Sequence, residues 1–177
     1  MARDISVIVP VFNTPDLVQS FWDQFVYKGE LEFVFVDNGS DKPTADALRA
    51  LRQANRNAFN LGFGPANNLG AASATGRILV FTQLDVAVKG DLRLACKYVK
   101  EGTLYGARLL ANDTGWNNFN GRIVPYLEGY FLTCTRTTWD LIGGFDPQYF
   151  PADFEDVDLS FAATQKGVPL SMLIGAK

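Results

Sequence analysis

A chain of 177 residues, 47% hydrophobic and 20% charged, is long enough to bury a core and short for two domains. Its net charge of −3, with no run of Lys or Arg, gives no electrostatic ground for nucleic acid or an anionic membrane as partner. The absence of His excludes His-centred triads and His metal sites, and Cys96 and Cys134 read as buried thiols of a reducing, cytoplasmic compartment.

Met1-Ala2-Arg3-Asp4 leads into a strand with no visible signal peptide, and no stretch approaches the ~20 apolar residues of a membrane span. Ile5 to Pro10 (ISVIVP) is an apolar, β-branched run of the kind buried in parallel sheets. Thr14 and Pro15 then predict the N-cap and first turn of a helix whose stripe is Leu17, Phe21 and Phe25. Glu32 to Asp37 (EFVFVD) predicts a second buried strand, and Pro43 opens a helix running to about Gln53. Arg56 to Phe59 is a short segment before the glycine-rich stretch Asn60 to Asn68. A helix of small residues is expected from Pro65 to near Gly76, followed by a third buried strand, Ile78 to Thr82.

Strand, helix, strand, helix, strand in this order implies right-handed crossovers and a mostly parallel sheet flanked by helices, an α/β fold. Beyond Asp85 the pattern becomes irregular. Leu104 to Leu110 and Leu127 to Thr135 read as strands separated by a loop containing Gly, Asn and Trp. A helix over Thr137 to Ile142 is stopped by Gly143-Gly144, and a last helix runs from about Glu155 to Lys166, closed by Gly167. Ser171 to Lys177 reads as an interrupted strand. The expected organisation is one domain over 1–177, with a nucleotide-binding half (1–90) and an acceptor and catalytic half (91–177).

Open parallel sheets bind ligands outside the carboxyl ends of their strands. The first strand ends near Asn13, the second in Asp37-Asn38-Gly39-Ser40 and the third in Gln83-Leu84-Asp85. Asn38-Gly39 alone is equally a turn signal; carboxylates recurring at strand ends favour a ligand role. Gly62-Phe63-Gly64-Pro65-Ala66-Asn67 approximates a dinucleotide fingerprint but has Asn at the third glycine and does not follow the first strand. It offers instead a close backbone approach and a helix N-terminus. The strongest local signal is Asp153-Phe154-Glu155-Asp156-Val157-Asp158, four carboxylates in six residues at the start of a helix. The helix dipole accounts for one or two of them; adjacent acids in a cleft suit general-base work.

With these residues in view, the chain resembles the family 2 glycosyltransferases of GT-A fold, in their rhamnosyltransferase-like branch. The stretches that carry the resemblance are ISVIVPVFN, FVFVDNGS, NLGFGPANNLGAASATG, ILVFTQLDV, YLEGYFLTCTR, WDLIGGFD and FEDVDLSFAATQKG, in family order over about residues 5 to 168. The resemblance implies that Pro10, Val11 and Asn13 shape a nucleoside pocket and that Asp37 hydrogen-bonds a uridine- or thymidine-type base. It implies that Asn60, Gly62, Phe63, Asn67 and Asn68 lie over the nucleotide. It implies that Gln83 and Asp85 occupy the acidic metal motif, Asp85 binding Mg²⁺ or Mn²⁺ across the diphosphate. It makes Asp156 the catalytic base, with Glu155 beside it, and has Gly129 and the Gly143-Gly144-Phe145-Asp146 turn line or support the cleft. The metal motif departs from the family in holding one carboxylate, and a His often found some twenty residues past the position of Asp156 has no counterpart.

The implied reaction is inverting transfer of a sugar from a nucleoside diphosphate sugar, UDP- or dTDP-type, to a glycan or other hydroxyl acceptor. Cell-surface polysaccharide or glycan synthesis is the implied setting. A degenerate, non-catalytic nucleotide- or glycan-binding domain is the alternative that Gln83 favours and Glu155-Asp156 opposes. A nucleotidyltransferase would carry a Gly-rich, basic loop after the first strand, where this chain has Val11-Phe12-Asn13-Thr14.

Overall fold

The computed structural model describes residues 3–51, 55–115 and 117–173. Strand β1 (Ile5–Val11) is followed by helix α1 (Pro15–Asp23), β2 (Glu32–Asp37), α2 (Lys42–Ala50), β3 (Asn55–Arg56), α3 (Phe63–Ser73) and β4 (Ile78–Thr82). The rest of the chain forms α4 (Leu92–Cys96), β5 (Leu104–Gly106), β6 (Leu109–Leu110), β7 (Asn118–Phe119), β8 (Arg122–Ile123) and β9 (Tyr126–Leu127). It ends with β10 (Phe131–Thr135), α5 (Arg136–Ile142), α6 (Glu155–Gln165) and β11 (Leu170–Met172).

Seven strands form one sheet in the order β11-β5-β10-β4-β1-β2-β3. β1 runs parallel to both β2 and β4, as the strand-helix-strand reading predicts, while β10 is antiparallel to β4 and β5. The period of two in β1 sorts its side chains onto two faces. Val7, Val9 and Val11 join Phe21, Phe25, Phe35 and Leu48 on one side; Ile8 joins Ala66, Phe81, Trp139, Phe145 and Leu159 on the other. Each fully buried Phe or Leu in these layers contributes about 1.5–3 kcal/mol relative to exposure.

The small residues of α3 let it lie hard against the sheet. A Cβ on Gly70 would stand 2.3 Å from Ile8 Cγ2, so only glycine allows this approach.

Several elements differ from the sequence reading. The two long strands of the second half are each broken: β5 and β10 belong to the main sheet, whereas β6 pairs with β9 in a separate two-stranded ribbon. The break suits the close approach at Gly106, where a Cβ would lie 3.1 Å from Leu127 Cβ. Thr14 occupies the N-cap of α1 but makes no side-chain capping bond, and α3 begins at Phe63, two residues before Pro65. The α4 helix and the β7–β8 hairpin carry too little periodicity to have been foreseen. Gln53, Trp116 and residues 174–177 lie outside the described residues. Among those described, no helix is long and apolar enough to cross a membrane.

Candidate active site

Because β2 lies on one side of β1 and β4 on the other, the chain reverses its winding beside β1, and a crevice opens at the carboxyl ends of these strands. A cleft of about 310 Å³ occupies that place, lined by residues including Pro10, Val11, Phe12, Asn38, Asn60, Phe63, Gln83, Asp85 and Pro151. Pro10, Val11, Asn60, Phe63, Gln83 and Asp85 were expected at the site from the sequence; Phe12 and Pro151 were not, and Asn38 was named only within the strand-end stretch Asp37 to Ser40. Pro151 arrives from a distant loop with no local signal to announce it.

Asn38 organises one wall. Its Nδ2 donates to Asn60 Oδ1 (2.7 Å) and to the Gly62 carbonyl (3.2 Å), while its Oδ1 accepts from Leu61 N (2.9 Å) and Asn57 Nδ2 (3.2 Å). All four hydrogen-bonding sites of one carboxamide are therefore spent on shaping the loop that precedes α3. Gly62 has φ of +88°, and a Cβ there would meet the Pro151 carbonyl oxygen at 2.9 Å, so the loop needs glycine on both counts. Phe63 N donates to that same carbonyl at 2.8 Å.

Asp37 is buried and does not line the cleft. Its Oδ1 accepts from Ser40 N at 2.8 Å, closing the Asp-Asn-Gly-Ser turn, and its Oδ2 lies 3.4 Å from an Arg56 guanidinium nitrogen. Asn13 holds the same corner: its Oδ1 accepts from Asp41 N at 2.8 Å. Asn68 is engaged by the backbone of Phe145 in both directions, donating to its carbonyl and accepting from its N–H. The bond ties α3 to the Gly143-Gly144-Phe145-Asp146 turn. Asn67 is fully buried, donating to the Phe63 carbonyl at 3.1 Å while its Oδ1 has no partner among the described residues.

The acidic motif forms the other part of the site. A pocket lined by Tyr126, Asp153, Phe154, Glu155, Asp156 and Val157 surrounds the N-terminus of α6, and Pro151 connects the same loop to the first cleft. Asp153 and Phe154 both adopt left-handed backbone conformations, φ +79° and +69°. Such conformations cost non-glycine residues on the order of 1–3 kcal/mol each and persist where surrounding structure enforces them.

Asp156 is fixed by backbone donors: Gly129 N reaches its Oδ2 at 3.0 Å, and Val157 N its Oδ1 at 2.8 Å. Burial pushes its pKa above the ordinary value of 3.8, the backbone donors partly opposing it and the Glu128 charge adding to the rise. Glu155 is 8% exposed, its Oε2 has no partner among the described residues, and burial likewise pushes its carboxyl up. Asp158 points elsewhere, accepting from the Tyr149 hydroxyl at 3.3 Å. Successive helix residues turn by about 100°, which separates Asp156 from Asp158.

Among the described residues no three His, Cys, Asp or Glu side chains gather as a metal-ligand set. Asp85 is a single exposed carboxylate in the cleft. One carboxylate fits a hard divalent cation that takes its remaining oxygens from substrate phosphate and water. Cys96 and Cys134 are buried and free, and burial pushes both thiols up to about 12.

Residues 6–158 match the model of the family described as Glycosyl transferase family 2. The chain belongs to this family. Solved structures agree in fold. The mannosyltransferase PcManGT from Pyrobaculum calidifontis, in complex with GDP-Man and Mn²⁺, superposes with a TM-score of 0.75 at 21% identity, covering 97% of this chain and 55% of that one. S. aureus TarS 1-349 in complex with UDP-GlcNAc gives a TM-score of 0.70 at 18% identity, covering 99% of this chain and 56% of that one. The longer S. aureus TarS structure gives 0.72 at 20% identity, covering 98% and 35%. This chain therefore spans little more than half of the first and a third of the last. No curated protein matches. The sheet and flanking helices described above are those of the GT-A fold.

Proposed function

We propose that this family 2 chain transfers a sugar from a nucleoside diphosphate sugar to a hydroxyl acceptor with inversion, Asp156 acting as base. The observation that carries this reading is the Asp156 carboxylate, pinned by Gly129 N and Val157 N in a pocket sharing its loop with the strand-end cleft. The donor lies across the carboxyl ends of β1, β2 and β4, over Pro10, Val11, Asn60 and Phe63. Asp156 takes the proton of the acceptor hydroxyl as that oxygen bonds to the anomeric carbon. The bond from that carbon to the diphosphate breaks, and its electron pair leaves with the nucleoside diphosphate. A pKa raised toward the working pH suits a group that must both stay ionised and accept a proton.

Asp85, with Gln83 beside it, would hold Mg²⁺ or Mn²⁺ against the diphosphate. When bound, such a cation neutralises charge on the leaving group. The mannosyltransferase of similar fold carries Mn²⁺ with GDP-Man, and TarS carries UDP-GlcNAc. For this chain the proposed donor is of UDP or dTDP type, with a rhamnosyl or hexosyl group. Asp37 serves the base by holding the turn that presents Asn38. A cytoplasmic setting, one domain in two halves and a role in surface glycan synthesis complete the proposal.

Gln83 in the metal motif favours a second reading, a domain that binds nucleotide sugar without turnover. A screen of UDP-, dTDP- and GDP-sugars, with and without Mn²⁺, separates the two by combining calorimetry with nucleoside diphosphate release. Binding with release that disappears in Asp156→Asn supports transfer; binding without release supports the second reading; no binding of any donor sinks both. Tighter binding of GDP than of UDP and dTDP overturns the pyrimidine assignment.

A further inference from the structure

Beside the acidic pocket lies a second, larger cavity of about 480 Å³, lined by Phe119, Arg122, Val124, Tyr149, Phe154, Val157, Asp158 and Phe161. Phe154 and Val157 line both spaces, so the two cavities are separated by a shared wall rather than by core. Four of the eight lining residues are aromatic, and Phe119, Phe154 and Phe161 stay exposed, at 51%, 39% and 36%. Polar groups converge there as well: the Tyr149 hydroxyl donates to Asp158 at 3.3 Å, and the Arg122 guanidinium lies 5.8 Å from the Phe161 ring.

From this juxtaposition we infer that the cavity is a subsite for a second sugar ring of the acceptor, the unit next to the one whose hydroxyl reacts. The inference rests on the glycosyltransferase reading above and names its acceptor class as a saccharide of at least two units. A pyranose presents apolar C–H faces and a hydroxyl edge. The aromatic walls match the faces, and Asp158, Tyr149 and Arg122 match the edge. A volume within the ordinary 300–1,000 Å³ of ligand pockets holds one such ring with room to spare. An alkyl chain would bring no hydrogen-bonding edge to Asp158 and Arg122, beyond the Tyr149 hydroxyl that Asp158 already accepts from, which disfavours a lipid tail. An acceptor extending from Asp156 past Phe154 enters the cavity with no change of fold.

Ligand-observed NMR tests this with chitobiose, mannobiose and rhamnobiose, their methyl monosaccharides, and octyl glucoside as alkyl probe. The protein is compared with Phe119→Ala, Phe161→Ala and Asp156→Asn. Both Phe residues are substantially exposed, so their replacement spares the core. The expected result is that at least one disaccharide binds about 3- to 10-fold more tightly than its monosaccharide, the scale of one aromatic contact. That advantage is lost in Phe119→Ala and Phe161→Ala and kept in Asp156→Asn. Equal binding of mono- and disaccharides, disaccharide binding unaffected by both Phe substitutions, or failure of every disaccharide to bind overturns the subsite. Preferential saturation of the octyl chain reassigns it to a lipid, and a dimer in sedimentation that Phe161→Ala dissolves reassigns it to a second copy; either overturns the proposal. Disaccharide binding without binding of any nucleotide sugar would leave the subsite standing and sink the transferase reading instead.

Discussion

Gly129 and Asp156 meet as backbone donor and side-chain acceptor, 3.0 Å apart, and the absence of a side chain on Gly129 is what lets them meet. A Cβ built on Gly129 stands 3.2 Å from Asp156 Cβ and 3.5 Å from its Oδ2. Gly129→Ala therefore displaces the carboxylate by a few tenths of an ångström. Since misplacing a catalytic group by 1 Å can cost ~10²-fold, about a tenfold loss of kcat is expected, with donor affinity unchanged. Steady-state kinetics beside donor calorimetry check this; a variant with parental kcat shows that the contact does not position the base.

Asn38 allows a sharper substitution than alanine. Asn38→Asp keeps the shape but turns two donors into acceptors, facing Asn60 Oδ1 and the Gly62 carbonyl in a site only 4% exposed. Both acceptors keep another donor, Gly62 N on Asn60 Oδ1 and Ala66 N on the Gly62 carbonyl. The cost therefore falls on the new buried carboxylate oxygen that faces them without a donor, and a loss of roughly 1–3 kcal/mol in unfolding free energy is expected. Denaturant melts measure it, and nucleotide affinity falls with it because Asn60 and Phe63 share the displaced loop.

The fold was legible where one physical rule dominates. The β-branched run Ile5 to Pro10 reads as a buried strand, and the parallel direction of β1, β2 and β4 followed from the alternation of strands and helices, whereas their order in the sheet did not. The second half was less legible because its strands are two to five residues long and set by tertiary pairing, as where the chain leaves the sheet after Gly106 of β5 and β6 joins β9. At the site, Gln83 and Asp85 were readable because strand ends point to the crevice, and Asn60 through the family resemblance of its loop. Asp37 and Asn68 were readable as polar residues, but sequence carries no sign that their partners are Arg56 and the Phe145 backbone. Pro151 was not readable, since only the folded loop brings it to Gly62.

Asp85 separates metal-dependent from metal-independent binding. It lines the cleft as an exposed carboxylate, with no side-chain partner among the described residues, so Asp85→Ala leaves the fold and the nucleoside contacts in place. Affinity for UDP in the presence of Mn²⁺ is expected to fall about tenfold or more, while uridine affinity stays the same. Calorimetry of both ligands decides it; undiminished UDP binding with Mn²⁺ removes Asp85 from the metal site.

Glu155 sets a pH dependence of stability. Its folded pKa is raised above 4.5 by burial, so its stabilising contribution is present in full below the unfolded value and lost as pH rises through the folded one. Glu155→Gln removes the ionisation. The melting temperature of the variant relative to the parent is therefore expected to be higher at pH 7 than at pH 4, by a few degrees, about 2–4 °C per kcal/mol for a chain of this size. Thermal melts across that range measure the difference, and a pH-independent difference contradicts it.

The base assignment makes its own pH prediction, of opposite sign. Asp156 must be ionised to accept a proton, so kcat/KM falls as pH drops through its folded pKa, which lies above 3.8 because of burial and the nearby Glu128. Glu128→Gln removes the like charge and moves the acidic limb of the profile to lower pH while preserving the Gly129 contact, which uses backbone N–H. Asp156→Asn removes the base, at a cost of ~10²–10⁴-fold in turnover with donor affinity retained. Asp158→Asn and Asp153→Asn keep their pH profiles, since Asp158 faces Tyr149 and Asp153 is exposed in the entering loop. The decisive measurement is the set of pH–rate profiles for these four variants with donor affinity checked for each. Near-parental turnover in Asp156→Asn, or an acidic limb that Glu128→Gln leaves in place while Asp158→Asn moves it, would transfer the role of base away from Asp156.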